Sequence, residues 1–122
     1  MNHELKRRLP LAVLVFGLVG LTGCGGVLPA HLEGKLASNG SADDHMAAAM
    51  LYQNKATQLE AKADRYEILA SKIGVHEDPK GFRRGALVMA AQENRTASKE
   101  MNELYASHFE KAQTMYGKKS PE

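Results

Sequence analysis

The chain of 122 residues contains no tryptophan, four tyrosines, three phenylalanines and a single cysteine. One thiol cannot form an intramolecular disulfide. With so few large rings, a bulky single-chain core is excluded, and whatever is buried must be built from smaller side chains. Charge of either sign is barely in excess, with 16 Lys and Arg against 14 Asp and Glu. Also missing are a Cys-x-x-Cys pair, a His-x-x-x-His pair and a glycine-rich phosphate loop. Ser41, Ser71, Ser98 and Ser107 lack the glycine context of a nucleophile elbow, and His31 and His76 have no nucleophile beside them in sequence. The sequence therefore reads as a non-enzyme. The apolar run over residues 9–20 is interrupted by Pro10 and glycines and is too short for a membrane span.

What is present begins with that run. Lys6, Arg7 and Arg8 precede it, and the tetrapeptide Leu21-Thr22-Gly23-Cys24 closes it. A basic segment, a short apolar segment and small residues before a cleavage point describe an export signal. The block resembles the signal peptide of bacterial lipoproteins, whose lipobox ends in the cysteine that becomes acylated. The resemblance implies removal of residues 1–23, lipidation of Cys24 and residence in the cell envelope. In that family Gly25, rather than aspartate, implies the outer membrane, facing the periplasm, where the host has two membranes. Removal of residues 1–23 discards Lys6, Arg7, Arg8 and Glu4, so the formal +2 of the precursor belongs to the signal and the exported chain is neutral. A basic pI argument for nucleic-acid binding would rest on discarded residues, and nucleic acid is not an expected partner.

Residues 24–40, with Gly25, Gly26, Pro29, Gly34, Asn39 and Gly40, read as a flexible tether. Leu28, Leu32 and Leu36 admit a brief interfacial helix within it, against the expectation of a loose linker. At Ser41 the character changes. Ser41-Ala42-Asp43-Asp44 fits a capping box, and no glycine or proline follows until Gly74. The pattern predicts a helix over residues 42–73, ended by a left-handed Gly74 with Val75 folded onto Ala70. A second helix is expected over residues 79–116, with Asp78 as N-cap and Pro79 in the first turn, stopped by Gly117 before a basic tail over residues 118–122. The short link over residues 74–78 makes the pair antiparallel, so residues 41–117 form one all-α helical hairpin.

The spacing within the first helix is 4-3-4-3. One stripe reads Tyr52, Leu59, Tyr66 and Ile73, with His45 ahead of it, and the other reads Ala56, Ala63 and Ala70, with Ala49 ahead. A 3.5 period predicts a left-handed coiled coil, and alanine at alternate seam positions resembles the close-packed Alacoil arrangement. On the second helix the expected seam is Leu87, Ala90, Asn94, Ala97, Met101, Leu104, His108 and Met115. Tyr105, Phe109, Ala112 and Tyr116 widen its apolar face, and a second copy completing a four-helix bundle is the simplest cover for that width.

Two clusters remain. In an antiparallel hairpin turning near residues 75–78, residue i faces approximately residue 153 − i, which sets His45 opposite His108. With Met101, Met46 and Met115 nearby, two imidazoles and thioethers form a soft donor set suited to copper, especially Cu(I). Against this, methionine fills gaps beside an alanine seam and the histidines close its open end. Lys80, Arg83 and Arg84 gather at the hairpin tip, where positive charge opposes the helix dipole and an anionic partner is conceivable beside the plain reading of a solvated basic turn. Taken together, the sequence predicts a lipid-anchored structural or adaptor protein acting through self-association or a helical partner, with no cofactor. The alternative is a periplasmic copper-binding protein using His45, His108 and Met101.

Overall fold

The computed structural model describes residues 26–119, so Cys24, the signal over residues 1–23 and the last three residues lie outside the described part. Three helices follow one another: α1 (Ala30–Ala37), α2 (Ala42–Lys72) and α3 (Phe82–Lys119). Among the described residues there is no strand, and no helix is long and apolar enough to cross a membrane. The architecture is all-helical, and its main body is the α2–α3 hairpin.

α1 corrects the expectation of a wholly loose linker over residues 24–40. Pro29 sits in the N-cap position with extended backbone (φ −62°, ψ 147°), and its carbonyl accepts from the N–H groups of Leu32 (3.0 Å) and Glu33 (3.1 Å). Leu32 is 5% exposed, so burial of this one side chain holds the short helix to the hairpin. The chain then reverses through Asn39, which has a positive φ of 101°, and a buried Gly40. A Cβ on Gly40 would lie 2.8 Å from Leu36 Cδ2 and 3.2 Å from Leu36 Cα. Only glycine lets α1 approach α2 this closely.

α2 starts where the capping box predicts. Ser41 Oγ accepts from the Asp44 N–H (3.1 Å), and Asp44 Oδ2 accepts from the Ser41 N–H (3.0 Å). The bond from the Ser41 N–H holds the Asp44 carboxyl below its ordinary pKa. The turn differs from expectation. Gly74 is not left-handed; its carbonyl instead accepts from the Glu77 and Asp78 N–H groups, both at 3.1 Å. The left-handed glycine is Gly81 (φ 71°), and α3 begins at Phe82 rather than at residue 79.

Asp78 still caps that helix, from a distance. Its carbonyl accepts from the Gly81 N–H (3.0 Å), closing a turn over Pro79 and Lys80, and this swings its carboxylate beneath the helix start. Asp78 Oδ2 accepts from the Arg84 N–H at 3.0 Å, and the residue is 6% exposed. The bond from Arg84 N–H, joined by the Arg84 guanidinium, lowers the Asp78 pKa. A carboxylate with a depressed pKa stabilises the fold above its unfolded pKa, and that stability is lost as pH falls through the lower folded value. Asp78→Asn, which keeps an acceptor but not the charge, should therefore lower the melting temperature at neutral pH, and its gap from the native chain should close in strong acid, while Asp78→Ala, without the acceptor, stays lower at both extremes. Thermal melts followed by circular dichroism at the two pH extremes check this. At its far end α3 runs through Gly117 to Lys119 instead of stopping at residue 116. A glycine costs about 1 kcal/mol in a helix interior but does not oblige the helix to end.

Packing along the hairpin follows the alanines. Ala49, Ala56, Ala63 and Ala70 are 0, 3, 0 and 8% exposed, while His45, Tyr52, Leu59, Tyr66 and Ile73 are half-buried on the neighbouring stripe. On α3, one expected stripe (Leu87, Asn94, Met101, His108, Met115) is half-buried. The other shifts by one residue. Ala91, Ser98 and Ala112 are 1, 0 and 0% exposed, whereas Ala90 and Ala97 are only half-buried and Leu104 is 38% exposed. The reason is Ser98, a polar residue at a seam position. Its Oγ donates to the Ala56 carbonyl at 3.1 Å, which satisfies the hydroxyl inside the contact.

The seam has two unlike edges. Along one, Arg95 of α3 reaches three carboxylates of α2, with Nη1–Glu60 Oε2 at 2.7 Å, Nη2–Asp64 Oδ1 at 3.0 Å and Nη2–Glu67 Oε2 at 2.8 Å. Along the other, Gly26 and Val27 lie over a groove of about 650 Å³ bordered by Leu51, Lys55 and Leu59 of α2 and Ala97 and Met101 of α3.

Candidate functional site

The chain's most distinctive constellation is at the open end of the hairpin. His45, in the first turns of α2, and His108, three-quarters of the way along α3, occupy facing seam positions. Their Nδ1 atoms lie 2.9 Å apart, and the rings are 5.2 Å between centroids at 30°. At that separation one Nδ1 carries the hydrogen and donates while the other accepts, so the pair is complementary only when at least one ring is neutral. Tyr52, one heptad on from His45, stacks on His108 at 5.6 Å and 14°.

The surroundings set the electrostatics. Burial pushes the His108 pKa below its ordinary value, and the neighbouring His45 and Lys111 push the same way. Burial likewise raises the Tyr52 phenol. Gly40 presses close from the α1 side, since a Cβ there would be 3.5 Å from His45 Nε2. Below the pair, the Tyr116 hydroxyl donates to Asp43 Oδ1, which joins the last turns of α3 to the first turn of α2 and raises the tyrosine pKa. His45 also borders a shallow cleft with Ser107, Glu110, Lys111, Thr114 and Met115.

The remaining candidate residues are dispersed. Met101 lines the groove beneath Val27, whose border includes neither histidine. Among the described residues no three His, Cys, Asp or Glu side chains gather as metal ligands. At the tip, Lys80 and Arg83 are exposed, but Arg84 is turned inward. Its Nη2 donates to the Asp78 carbonyl at 2.9 Å, and its Nε is 3.4 Å from Asp78 Oδ2. Among the described residues neither Lys80 nor Arg83 has an ion-pair partner, and Arg84 serves the cap. Sequence reasoning passed over the Tyr52 stack and the Arg95 cluster. The second had a signal: Glu60, Asp64 and Glu67 follow one helical edge, and the hairpin pairing sets Arg95 opposite them.

The chain matches no known protein family, and no curated protein or solved structure shows significant similarity to it.

Proposed function

We propose that this chain is a lipid-anchored lipoprotein of the cell envelope, whose helical hairpin has a structural or adaptor role rather than a catalytic one. The observation that carries the reading is the run from Lys6 through the apolar segment to Leu21-Thr22-Gly23-Cys24. Two or more acyl chains on one cysteine give stable membrane residence, where a single chain gives marginal binding. An outer-membrane destination with the hairpin in the periplasm rests on Gly25. The partner reading draws on apolar side chains left uncovered toward the hairpin tip: Phe82 is 74% exposed, Val75 63%, Met89 61% and Ile68 52%. A second copy, giving a four-helix bundle, or another amphipathic helix would cover them.

Cys24→Ser tests the anchor. The variant should accumulate as an unprocessed precursor lacking acyl mass, whereas the native chain should begin at an acylated Cys24 by intact mass spectrometry. Normal release of a soluble processed chain from the variant would refute the reading. Sedimentation of the native chain against Phe82→Glu, which should favour the monomer, tests self-association.

The approach of His45 to His108 favours one second reading, copper binding in the periplasm. Both Nδ1 atoms are directed into the same space, although the 2.9 Å between them is already bridged by a hydrogen bond. An ion bonded to both from opposite sides at about 2.0–2.1 Å needs them about 4 Å apart, so the rings would have to separate. Titration with Cu(I) separates the two readings. The copper reading requires His45→Ala and His108→Ala each to abolish tight binding, with Met101→Ala weakening it.

A further inference from the structure

The described chain does not leave the hairpin at its open end. α1 doubles back along α2, and Gly26 and Val27 come to lie over the groove between Leu51 and Leu59 of α2 and Ala97 and Met101 of α3. That level is about ten residues along α2 from His45, or roughly 15 Å of helix. Only one residue stands between Gly26 and Cys24 in the sequence, a reach of about 7 Å from Gly26 at full extension. A lipid on Cys24 would hold the middle of the hairpin at the membrane, not its end.

The charge of the two flanks agrees with that placement. In the 3.5-residue register, the flank beneath Gly26 carries Lys55, Lys62, Arg65 and Lys72 of α2 and Lys111 and Lys118 of α3, all exposed. Its acidic residues are fewer, namely Asp44, Glu93, Glu100 and Glu110, the last in one cleft with Lys111, and α1 adds Glu33 and Lys35, the latter 4.0 Å from Asp44. The opposite flank is acidic, with Asp43, Glu60, Asp64 and Glu67 against Arg95 and Lys99. Leu69 and Leu104 stand exposed among the lysines of the first flank. Lysine and arginine with scattered leucine suit the headgroup layer of an anionic bilayer, where the cations meet phosphate and the leucines reach the acyl boundary.

We infer that the Lys55–Lys72 flank is a membrane-contact face, on which the hairpin lies side-on to an anionic lipid surface while its acidic flank faces away. The inference rests on the lipid-anchor reading above. Two independent features meet in it: where α1 delivers the chain, and which flank is basic.

Lysine acetylation footprinting tests it without adding a thiol. The processed, acylated chain is placed in vesicles of phosphatidylethanolamine and phosphatidylglycerol, and modification is read by peptide mass. Lys55 and Lys62 should react several-fold more slowly than in detergent, with Lys99 unchanged, and added salt should weaken the protection. Equal reactivity of Lys55, Lys62 and Lys99 would overturn the inference, as would protection of Lys99 alone.

A second arm keeps the two readings apart. Residues 24–122 contain the whole described core, from Leu32 to Ala112, and can be coupled through the Cys24 thiol to a maleimide-bearing lipid in the same vesicles. The native chain's mass decides whether Cys24 is acylated in the cell, and the coupled chain's footprint decides the contact face whatever that mass shows. Leu32→Asp, which releases α1 from the hairpin, should restore the reactivity of Lys62 while circular dichroism still reports a helical hairpin. Retained protection in that variant would mean that α1 does not set the orientation and would overturn the inference.

Discussion

Ala63→Leu should destabilise the hairpin by about 1–3 kcal/mol, the usual range for forcing extra carbons into a packed contact. Ala63 is fully buried, at 0% exposure, with no room for three more carbons between α2 and α3. Ala61, two residues earlier, is exposed, and its change to leucine should cost under about 0.5 kcal/mol. The same contrast is expected between Ala56 and Ala61. Chemical denaturation of the three variants measures it, and equal losses at Ala61 and Ala63 would contradict the alanine seam.

Acid should loosen the open end. His108 has a folded-state pKa below its ordinary value of 6.5, so the unfolded chain takes up its proton first as pH falls. Stability is therefore present above 6.5 and declines as pH drops through 6.5 and on through the lower folded value. The groups around the ring sharpen this. Protonated His108 would face His45 at 2.9 Å with Lys111 nearby, and Asp44, beside His45, is engaged by Ser41. The melting temperature should fall over this window in the native chain and fall much less in His108→Gln, which cannot take up a proton. Parallel slopes in the two chains would show that the histidine pair has no part in the acid response.

The hairpin and its pairing were legible because they depend on periodicity and chain reversal, which one sequence records directly. The facing rule set His45 against His108 from loop position alone. The Ser41–Asp44 cap was equally plain, since both of its bonds are local. The start of α3 was obscured because Pro79 at a first helical position and Pro79 within a turn look alike in sequence. The difference lies in Gly81, whose positive φ lets Asp78 cap from three residues upstream of the usual place. The seam of α3 was misread by one residue because Ala90 and Ala97 are as apolar as Ala91, while Ser98 looks like a surface residue until the Ala56 carbonyl is set against it. α1 stood only as the alternative to a loose linker, because its hold depends on the burial of one leucine, Leu32, and on the close approach that Gly40 allows to Leu36. At the candidate site both histidines were found, but the stacking of Tyr52 depends on a rotamer that no spacing reveals, whereas Met101 stands two helical turns, about 10 Å, from His108 on the same helix.

The alanine seam also sets how the hairpin responds to temperature and denaturant. Parting α2 from α3 uncovers a stripe of alanine methyls and larger side chains that are only half-buried, less oily surface than a leucine-lined coil of equal length would release. Heat-capacity change and denaturant slope both scale with the surface newly wetted. This hairpin should therefore have a shallow slope in urea, a broad thermal transition and a nearly flat stability curve across ordinary growth temperatures.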